Sequence, residues 1–173
     1  MENPVTDIEN VIRSLTEPNK ASTMGMNVEK YFTEDAVLYH PFFRVTGRGG
    51  IKGIYKTLRM GTTDQKIEFH AVMFNEDKTQ VTVDLTEHMN ARGVPQQSGR
   101  VGLRLIVRLH LIHDTDGKYR ITKQEDNFSS DSAAIGLPVM PGLSSMVKVM
   151  KMLSGLYIGG LGNFFLSRGW FGQ

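Results

Sequence analysis

Two side chains of this sequence are of types that transfer protons and lie among apolar neighbours. His40 precedes Pro41 in the apolar and aromatic segment AVLYHPFF, and an imidazole can accept and return a proton near neutral pH. Glu87 lies among aliphatic residues, where burial would raise the pKa of its carboxyl and make it a proton donor. The structural alternatives are a histidine packed in an aromatic strand and a solvated carboxylate near a rim.

Three further side chains could orient a substrate. Arg104 and Arg108 share one face of a predicted strand, where guanidinium groups could bind an enolate or carboxylate oxygen. An exposed sheet face or a dimer interface is the alternative explanation for this pair. Tyr55 lies on the apolar stripe of a predicted helix, so its hydroxyl either donates into a cavity or packs in the core.

The composition excludes several kinds of chemistry. The sequence has no cysteine, which excludes a thiolate nucleophile, a Cys-ligated zinc site and a thiolate-ligated iron–sulfur site. The histidines are scattered without metal-ligand spacing, and Gly47, Gly49 and Gly50 match neither a dinucleotide-binding nor a P-loop fingerprint. We therefore expect no metal and no nucleotide cofactor. The net charge of +2 does not favour a nucleic-acid partner, and without a visible secretory signal we expect a cytoplasmic location.

The periodicity of apolar residues predicts helices followed by strands. The first helix begins at a capping box formed by Thr6 and Glu9. A short second helix lies around residues 28–32, and a third ends near Gly61. The period then becomes two as far as Phe128, where four long strands alternate with turn-rich connectors. Helices that precede an antiparallel meander predict an α+β domain.

Two segments resemble the nuclear-transport-factor-2-like superfamily, which has a cone-shaped fold. The stretch YFTEDAVLYHPFFRVTGRGGIKGIY is similar to the opening of that fold, and DGKYRITKQEDNF is similar to its last hairpin. The resemblance covers roughly residues 5–130. It implies a curved antiparallel sheet covered by three N-terminal helices, here expected over residues 1–131. The superfamily includes SnoaL-like polyketide cyclases, ketosteroid isomerase, scytalone dehydratase and limonene-epoxide hydrolase, and many members that bind or scaffold without catalysis.

The resemblance also implies site residues. His40 and Pro41 resemble an Asp-Pro pair of ketosteroid isomerase, in which the Asp is the proton-abstracting base. His88 and Asn90 occupy the places of an Arg and an Asp of the epoxide hydrolase, whereas Asp126 matches its second catalytic Asp. Two of three hydrolase positions therefore differ, so a polar pocket is expected and epoxide hydrolysis by that mechanism is not. The expected catalytic residues are His40, His88 and Asp126, and the expected substrate-binding residues are Tyr55, Asn90, Arg104, Arg108 and Gln124.

The parity of the strands leaves the identity of the pocket face open. The resemblance puts His88 and Asp126 on the pocket face, whereas hydrophobicity alone puts the opposite face in the core. A bulge could reverse the parity partway along a strand. We follow the resemblance and expect His88 and Asp126 to form an oriented acid–base pair, or else a structural cross-sheet ion pair. His70 and Asp84 are expected to pair across their hairpin.

These features predict a cofactor-independent isomerase, cyclase or dehydratase. It would act by acid–base chemistry on a small, largely apolar metabolite, in secondary-metabolite biosynthesis. The alternative is a non-catalytic member that binds a lipid or scaffolds a partner. We also expect a homodimer, because such sheets commonly pair through the face that the helices do not cover.

The C-terminal tail, residues 132–173, differs from the rest of the chain. It contains no Asp or Glu, and its bases are Lys148, Lys151 and Arg168. An apolar helical stripe is followed by the uncharged stretch Leu153–Ser167, which is too short and too rich in glycine for a comfortable membrane span. The tail either lies on a membrane surface or, as we favour, packs over the cone mouth or on a partner subunit.

Overall fold

The computed structural model describes residues 1–92, 100–128 and 143–169. These residues belong to two compact units, residues 1–128 and residues 129–173. The predicted domain boundary between residues 131 and 132 lies outside the described residues, as do the tail aromatics Trp170 and Phe171.

Three helices precede most of the sheet, as predicted. The first begins at Pro4, two residues before the predicted cap at Thr6, because the side chain of Asn3 accepts a hydrogen bond from the backbone N–H of Val5 at 3.1 Å. Asp7 then accepts from the backbone N–H of Asn3, which completes the cap. The helices are α1 Pro4–Thr16, α2 Ala21–Tyr31 and α3 Gly47–Gly61.

Six strands form one curved sheet in the order β2-β1-β6-β5-β4-β3. Neighbouring strands are antiparallel, except that β1 runs parallel to β6. The α+β class and the cone-type fold are therefore confirmed. The strands are β1 Phe32–His40, β2 Phe43–Thr46, β3 Thr62–Phe74, β4 Gln80–Ala91, β5 Val101–His113 and β6 Tyr119–Phe128.

The hydrophobic core lies between the helices and one face of the sheet, which we call the inner face. Hydrophobicity identifies this face correctly along β4, where Val81, Val83 and Leu85 are buried. The pairing of β5 with β6 shifts register between His110 and Leu111. This bulge reverses the parity of β6, so the inner face of that strand carries polar side chains beyond the bulge.

The tail unit contains one described helix, α4 Leu143–Ser167. It continues without interruption from the apolar stripe through the glycine-rich stretch that follows. Its segment Lys148–Ser167 is long and apolar enough to cross a membrane by length and composition, and none of it is buried. The expected packing of the tail on the domain or on a partner remains a prediction.

Candidate active site

A chain of hydrogen-bonded polar side chains joins α3 to β6 on the inner face. The hydroxyl of Tyr55 donates to Gln124 Oε1 at 3.2 Å, and Gln124 Nε2 donates to Asp126 Oδ1 at 2.8 Å. Tyr55 and Gln124 are buried in the core. Asp126 is closely surrounded by protein but retains some exposure to solvent.

A second carboxyl is buried on the same face. Glu87 of β4 is 9% exposed, and its Oε1 accepts a hydrogen bond from Gln65 Nε2 at 3.2 Å. Gln65 itself is 2% exposed, and its Oε1 has no hydrogen-bond partner among the described residues. A buried amide oxygen without a partner is costly to the fold. It is therefore a candidate acceptor for a donor group of a ligand.

The protein environment raises the pKa values of Asp126, Glu87 and Tyr55. Burial raises the pKa of Asp126 to about 6, although the hydrogen bond from Gln124 acts in the opposite direction. Burial, together with the nearby charge of Asp126, raises the pKa of Glu87 to about 7. Burial and the two carboxylates also raise the pKa of Tyr55, so its hydroxyl remains a hydrogen-bond donor.

Irregularities of the strands bring these side chains to one face. Asp126 and Gln124 reach the inner face because of the bulge in the pairing of β5 with β6. Gln65 lies within a second irregularity, where the register of β3 against β4 shifts between Thr63 and Lys66. Gln65 is not among the residues that the sequence pattern predicts, because alternation of apolar residues does not reveal a bulge.

His40 lies at the end of β1, on the face that also carries the buried Leu38. Its ring stacks on Phe43 with 4.2 Å between ring centroids, and its Nδ1 accepts a hydrogen bond from the backbone N–H of Phe42 at 3.3 Å. Burial lowers the pKa of His40, which favours the neutral imidazole. The register of β1 beside β6 pairs Leu38 with Gln124, so His40 follows on the same side as Asp126.

The structure separates His88 from Asp126, and the expected acid–base pair does not form. His88 lies on the outer face, opposite the core, because β4 keeps a regular alternation between Val81 and Glu87. Its Nε2 is 2.9 Å from Glu68 Oε2. Since the bulge turns Asp126 inward, the two side chains lie on opposite faces.

Three expected binding residues also lie on the outer face. Arg104 donates two hydrogen bonds to Asp84, at 3.0 and 2.6 Å. The two residues are diagonal neighbours on adjacent strands, because Arg104 of β5 pairs with Thr86, two residues from Asp84 on β4. Arg108 is exposed, and Asn90 follows His88 on the same side of β4. His70, expected to pair with Asp84, makes a 2.7 Å contact with Thr86 Oγ1 through its Nε2. After the hydrogen bond from Arg104, the charge of His70 helps to lower the pKa of Asp84.

The structure thus brings together four of the expected site residues on one face and adds two that were not in that set. The first four are His40, Tyr55, Gln124 and Asp126, and the additions are Gln65 and Glu87. Within residues 1–92, 100–128 and 143–169, no group of three or more His, Asp or Glu side chains could hold a metal ion.

Sequence comparison places almost the whole chain in one family. Residues 1–170 match the model described as the SigF NTF2-like domain. No curated protein matches the sequence.

Comparison of structures supports the same fold. SalBIII, an epoxide hydrolase/cyclase-like enzyme with a role in pyran ring formation in the polyether salinomycin, is 18% identical, with a TM-score of 0.58 over 76% of this chain and 97% of that one. A putative scytalone dehydratase from Novosphingobium aromaticivorans is 14% identical, with a TM-score of 0.58 over 72% and 83% of the two chains. An NTF2-like protein from Anabaena variabilis is 16% identical, with a TM-score of 0.59 over 76% and 92%.

Proposed function

Because the chain belongs to the SigF NTF2-like domain family, we propose that it catalyses a proton-transfer reaction on a small, largely apolar metabolite without a cofactor. The reaction class is isomerisation, cyclisation or dehydration in secondary metabolism. The observation that carries the proposal is the pair of buried carboxyls, Asp126 and Glu87, on the inner face of a sheet whose structural neighbours include a cyclase-like enzyme and a dehydratase.

The two carboxyls suit opposite roles near neutral pH. Asp126, with a pKa of about 6, is mostly ionised and can act as the base. Glu87, with a pKa of about 7, keeps a large protonated fraction and can act as the acid. The ionised Asp126 disfavours ionisation of Glu87, so the pair holds one proton near neutral pH and can supply one acid and one base.

The proposed cycle conserves protons. Asp126 takes a proton from a carbon or hydroxyl of the substrate, while the carboxyl of Glu87 gives a proton to another substrate atom. Exchange of one proton with solvent then restores both groups. Tyr55 and Gln124 hold the Asp126 carboxylate in one orientation through their hydrogen bonds. His40 is neutral and its Nδ1 accepts from the backbone, so its Nε2–H is available as a further hydrogen-bond donor at the end of β1.

A non-catalytic role is the second candidate. It is favoured by the placement of His88, Arg104 and Arg108, because these three expected site residues lie on the outer face. A ligand-binding or scaffolding protein would use the inner face as a lipid-type pocket and the outer face as an interface.

We further propose that the protein is a homodimer whose residues 1–128 lie in the cytoplasm. Ile106 and Ile112 are 47% and 44% exposed on the strand β5, and Met73 on the edge strand β3 is 55% exposed. A second copy would cover this apolar surface, which is otherwise an aggregation hazard. Light scattering should report twice the monomer mass at micromolar concentration, and a monomer would contradict the proposal.

Deuterium exchange tests the catalytic proposal without knowledge of the natural substrate. The probes are small apolar ketones with acidic α-protons, such as 2-decalone and cyclohex-3-en-1-one, incubated with the protein in D₂O. Proton NMR should show faster loss of the α-proton signals with wild-type protein than with buffer. Asp126→Asn should lower this enhancement by about a hundredfold or more.

The matched control for Asp126→Asn is Asp35→Asn, which removes the same charge from an exposed residue of β1. It should exchange as fast as wild type. Binding of the ketones without accelerated exchange would favour the non-catalytic candidate.

A further inference from the structure

The helix α4 of the tail is apolar around its whole circumference. Leu156, Tyr157 and Ile158 are consecutive, so they point about 100° apart around the helix axis. They are nevertheless exposed by 67%, 70% and 67%. A helix that packs on one protein surface places polar residues on its opposite side. This helix has no such side in the segment, which is typical of a helix surrounded by lipid.

The length of the helix fits the thickness of a bilayer. The segment Lys148–Ser167 contains 20 residues, which span about 30 Å at a rise of about 1.5 Å per residue. The hydrocarbon core of a bilayer is also about 30 Å thick. The helix Leu143–Ser167 extends beyond this segment at its N-terminal end and can therefore reach the headgroups.

Charged residues occur only at the two ends of this segment. Lys148 and Lys151 lie at one end, Arg168 follows the other, and no Asp or Glu occurs between residues 132 and 173. Lys and Arg near the ends of a membrane helix can extend towards the phosphates of the headgroups. The arrangement therefore matches a bilayer in both polarity and charge.

The glycines of α4 are better explained by lipid than by water. Among the described residues of the tail unit, no atom lies within 4 Å of a Cβ built at Gly155, Gly159, Gly160 or Gly162, so no contact there requires a glycine. Each glycine destabilises a helix in water by about 1 kcal/mol relative to alanine. In a bilayer the backbone must satisfy its own hydrogen bonds, so the helix is retained and glycine is common.

We propose that α4 inserts across a lipid bilayer and anchors the protein to a membrane. The proposal replaces the sequence-based expectation that this stretch is too short and too rich in glycine to span. It is independent of the proposed catalysis, because it rests on the tail unit alone.

The depth of insertion can be measured with a single fluorophore. The chain has no cysteine, so Ile158→Cys and Met146→Cys each give one labelling site in the full-length protein. In phosphatidylcholine vesicles, an environment-sensitive dye at position 158 should shift to the blue. Lipids brominated at the ends of their acyl chains should quench it more than lipids brominated near the headgroup. The dye at position 146 should show the reverse order, and headgroup-level quenching at position 158 would overturn insertion.

Flotation with the same vesicles gives an independent test. The full chain should remain with the vesicles after high salt and an alkaline carbonate wash. In the double variant Leu156→Asp/Ile158→Asp, the fraction of protein bound to vesicles should fall at least about tenfold, because acidic residues at the centre of a span oppose insertion. Met60→Asp, which places one such negative charge at a 73% exposed residue of α3, should float like wild type.

Two flotation results would contradict the proposal. Wild-type protein in the aqueous fraction, or released by salt alone, would show that α4 covers a protein or adsorbs to the surface. Double-variant protein that floats like wild type would show that α4 is not the anchor. Residues 1–128 should melt at the same temperature in all three proteins, which excludes misfolding of that unit as the cause.

Discussion

Gln124 Nε2 donates a hydrogen bond to Asp126 Oδ1 at 2.8 Å, and the two residues project from the same inner face of β6. Burial and this hydrogen bond act on the Asp126 carboxyl in opposite directions, and burial has the larger effect. Because the oxygen of Gln124 accepts from Tyr55, the amide is fixed with its donor towards the carboxylate. The protonation of Asp126 therefore depends on a neutral neighbour as well as on burial.

Gln124→Met should raise the pKa of Asp126 above its value of about 6. Methionine has a similar length but cannot donate, so the ionised form loses a charge-assisted hydrogen bond, and a shift of about 1 unit is expected. If Asp126 is the base, the lower limb of the pH–rate profile moves to higher pH by the same amount. NMR titration of the carboxyl carbon measures the pKa, and Gln80→Met, at an exposed residue of β4, is the matched control. An unchanged pKa would mean that this hydrogen bond does not form in solution.

The buried carboxyls should make the folded state less stable as the pH rises. Asp126 and Glu87 have raised pKa values, so between their ordinary values and about 6 and 7 the folded chain binds more protons than the unfolded chain. Unfolding free energy therefore falls with rising pH across this range. Each carboxyl should contribute on the order of 2–3 kcal/mol to that fall.

Urea unfolding at pH 5 and pH 8 measures this effect. Asp126→Asn and Glu87→Gln should each reduce the difference between the two pH values. Glu76→Gln, at an exposed turn residue, should leave it unchanged. A pH dependence that neither Asp126→Asn nor Glu87→Gln reduces would contradict the raised pKa values.

The sequence predicted the helices and long strands well, because amphipathic periodicity is a local property. It did not predict the faces of the strands near the site. Regular alternation places His88 on the outer face, and only the bulge between His110 and Leu111 in the pairing of β5 with β6 turns Asp126 inward. Bulges depend on pairing with a neighbouring strand, so a single strand's pattern does not reveal them.

Site residues were predictable to different degrees for the same reason. Tyr55 lies on a helical stripe, which the sequence shows directly, and Glu87 was identified among aliphatic residues as a donor if buried. Gln65 could not be found, because it lies at an irregularity of β3. The helix is capped by Asn3 and not by Thr6, because Asn is the stronger cap and Pro4 suits the first helical position.

His88→Ala should leave catalysis nearly unchanged. The His88 side chain bonds Glu68 on the outer face, where it also lies over Gly102. Loss of a partly exposed pair should change stability by less than about 1 kcal/mol and turnover by less than about threefold. The deuterium-exchange assay and thermal melting measure both. A loss of exchange comparable to that of Asp126→Asn, with an unchanged melting temperature, would place His88 in the mechanism.

His40 and Asp126 should depend on each other if both take part in proton transfer. His40 lies on the inner face of β1, the same face of the sheet that carries Asp126 on β6. It is half-buried, and burial lowers its pKa, so the imidazole is neutral near pH 7. His40→Ala and Asp126→Asn should each lower exchange by about a hundred- to ten-thousandfold, the usual contribution of a general acid or base.

The double variant decides whether the two residues act in one relay. Its loss should be smaller than the product of the single losses, because removing one member of a relay already disables the other. His40→Gln serves as the control for packing, since it keeps a polar side chain of similar size against Phe43 and should retain stability better than alanine. A loss in the double variant equal to the product of the two single losses would show that the residues act independently. If His40→Ala and Asp126→Asn each lower the melting temperature as well as the exchange rate, both residues support the fold and neither transfers the proton.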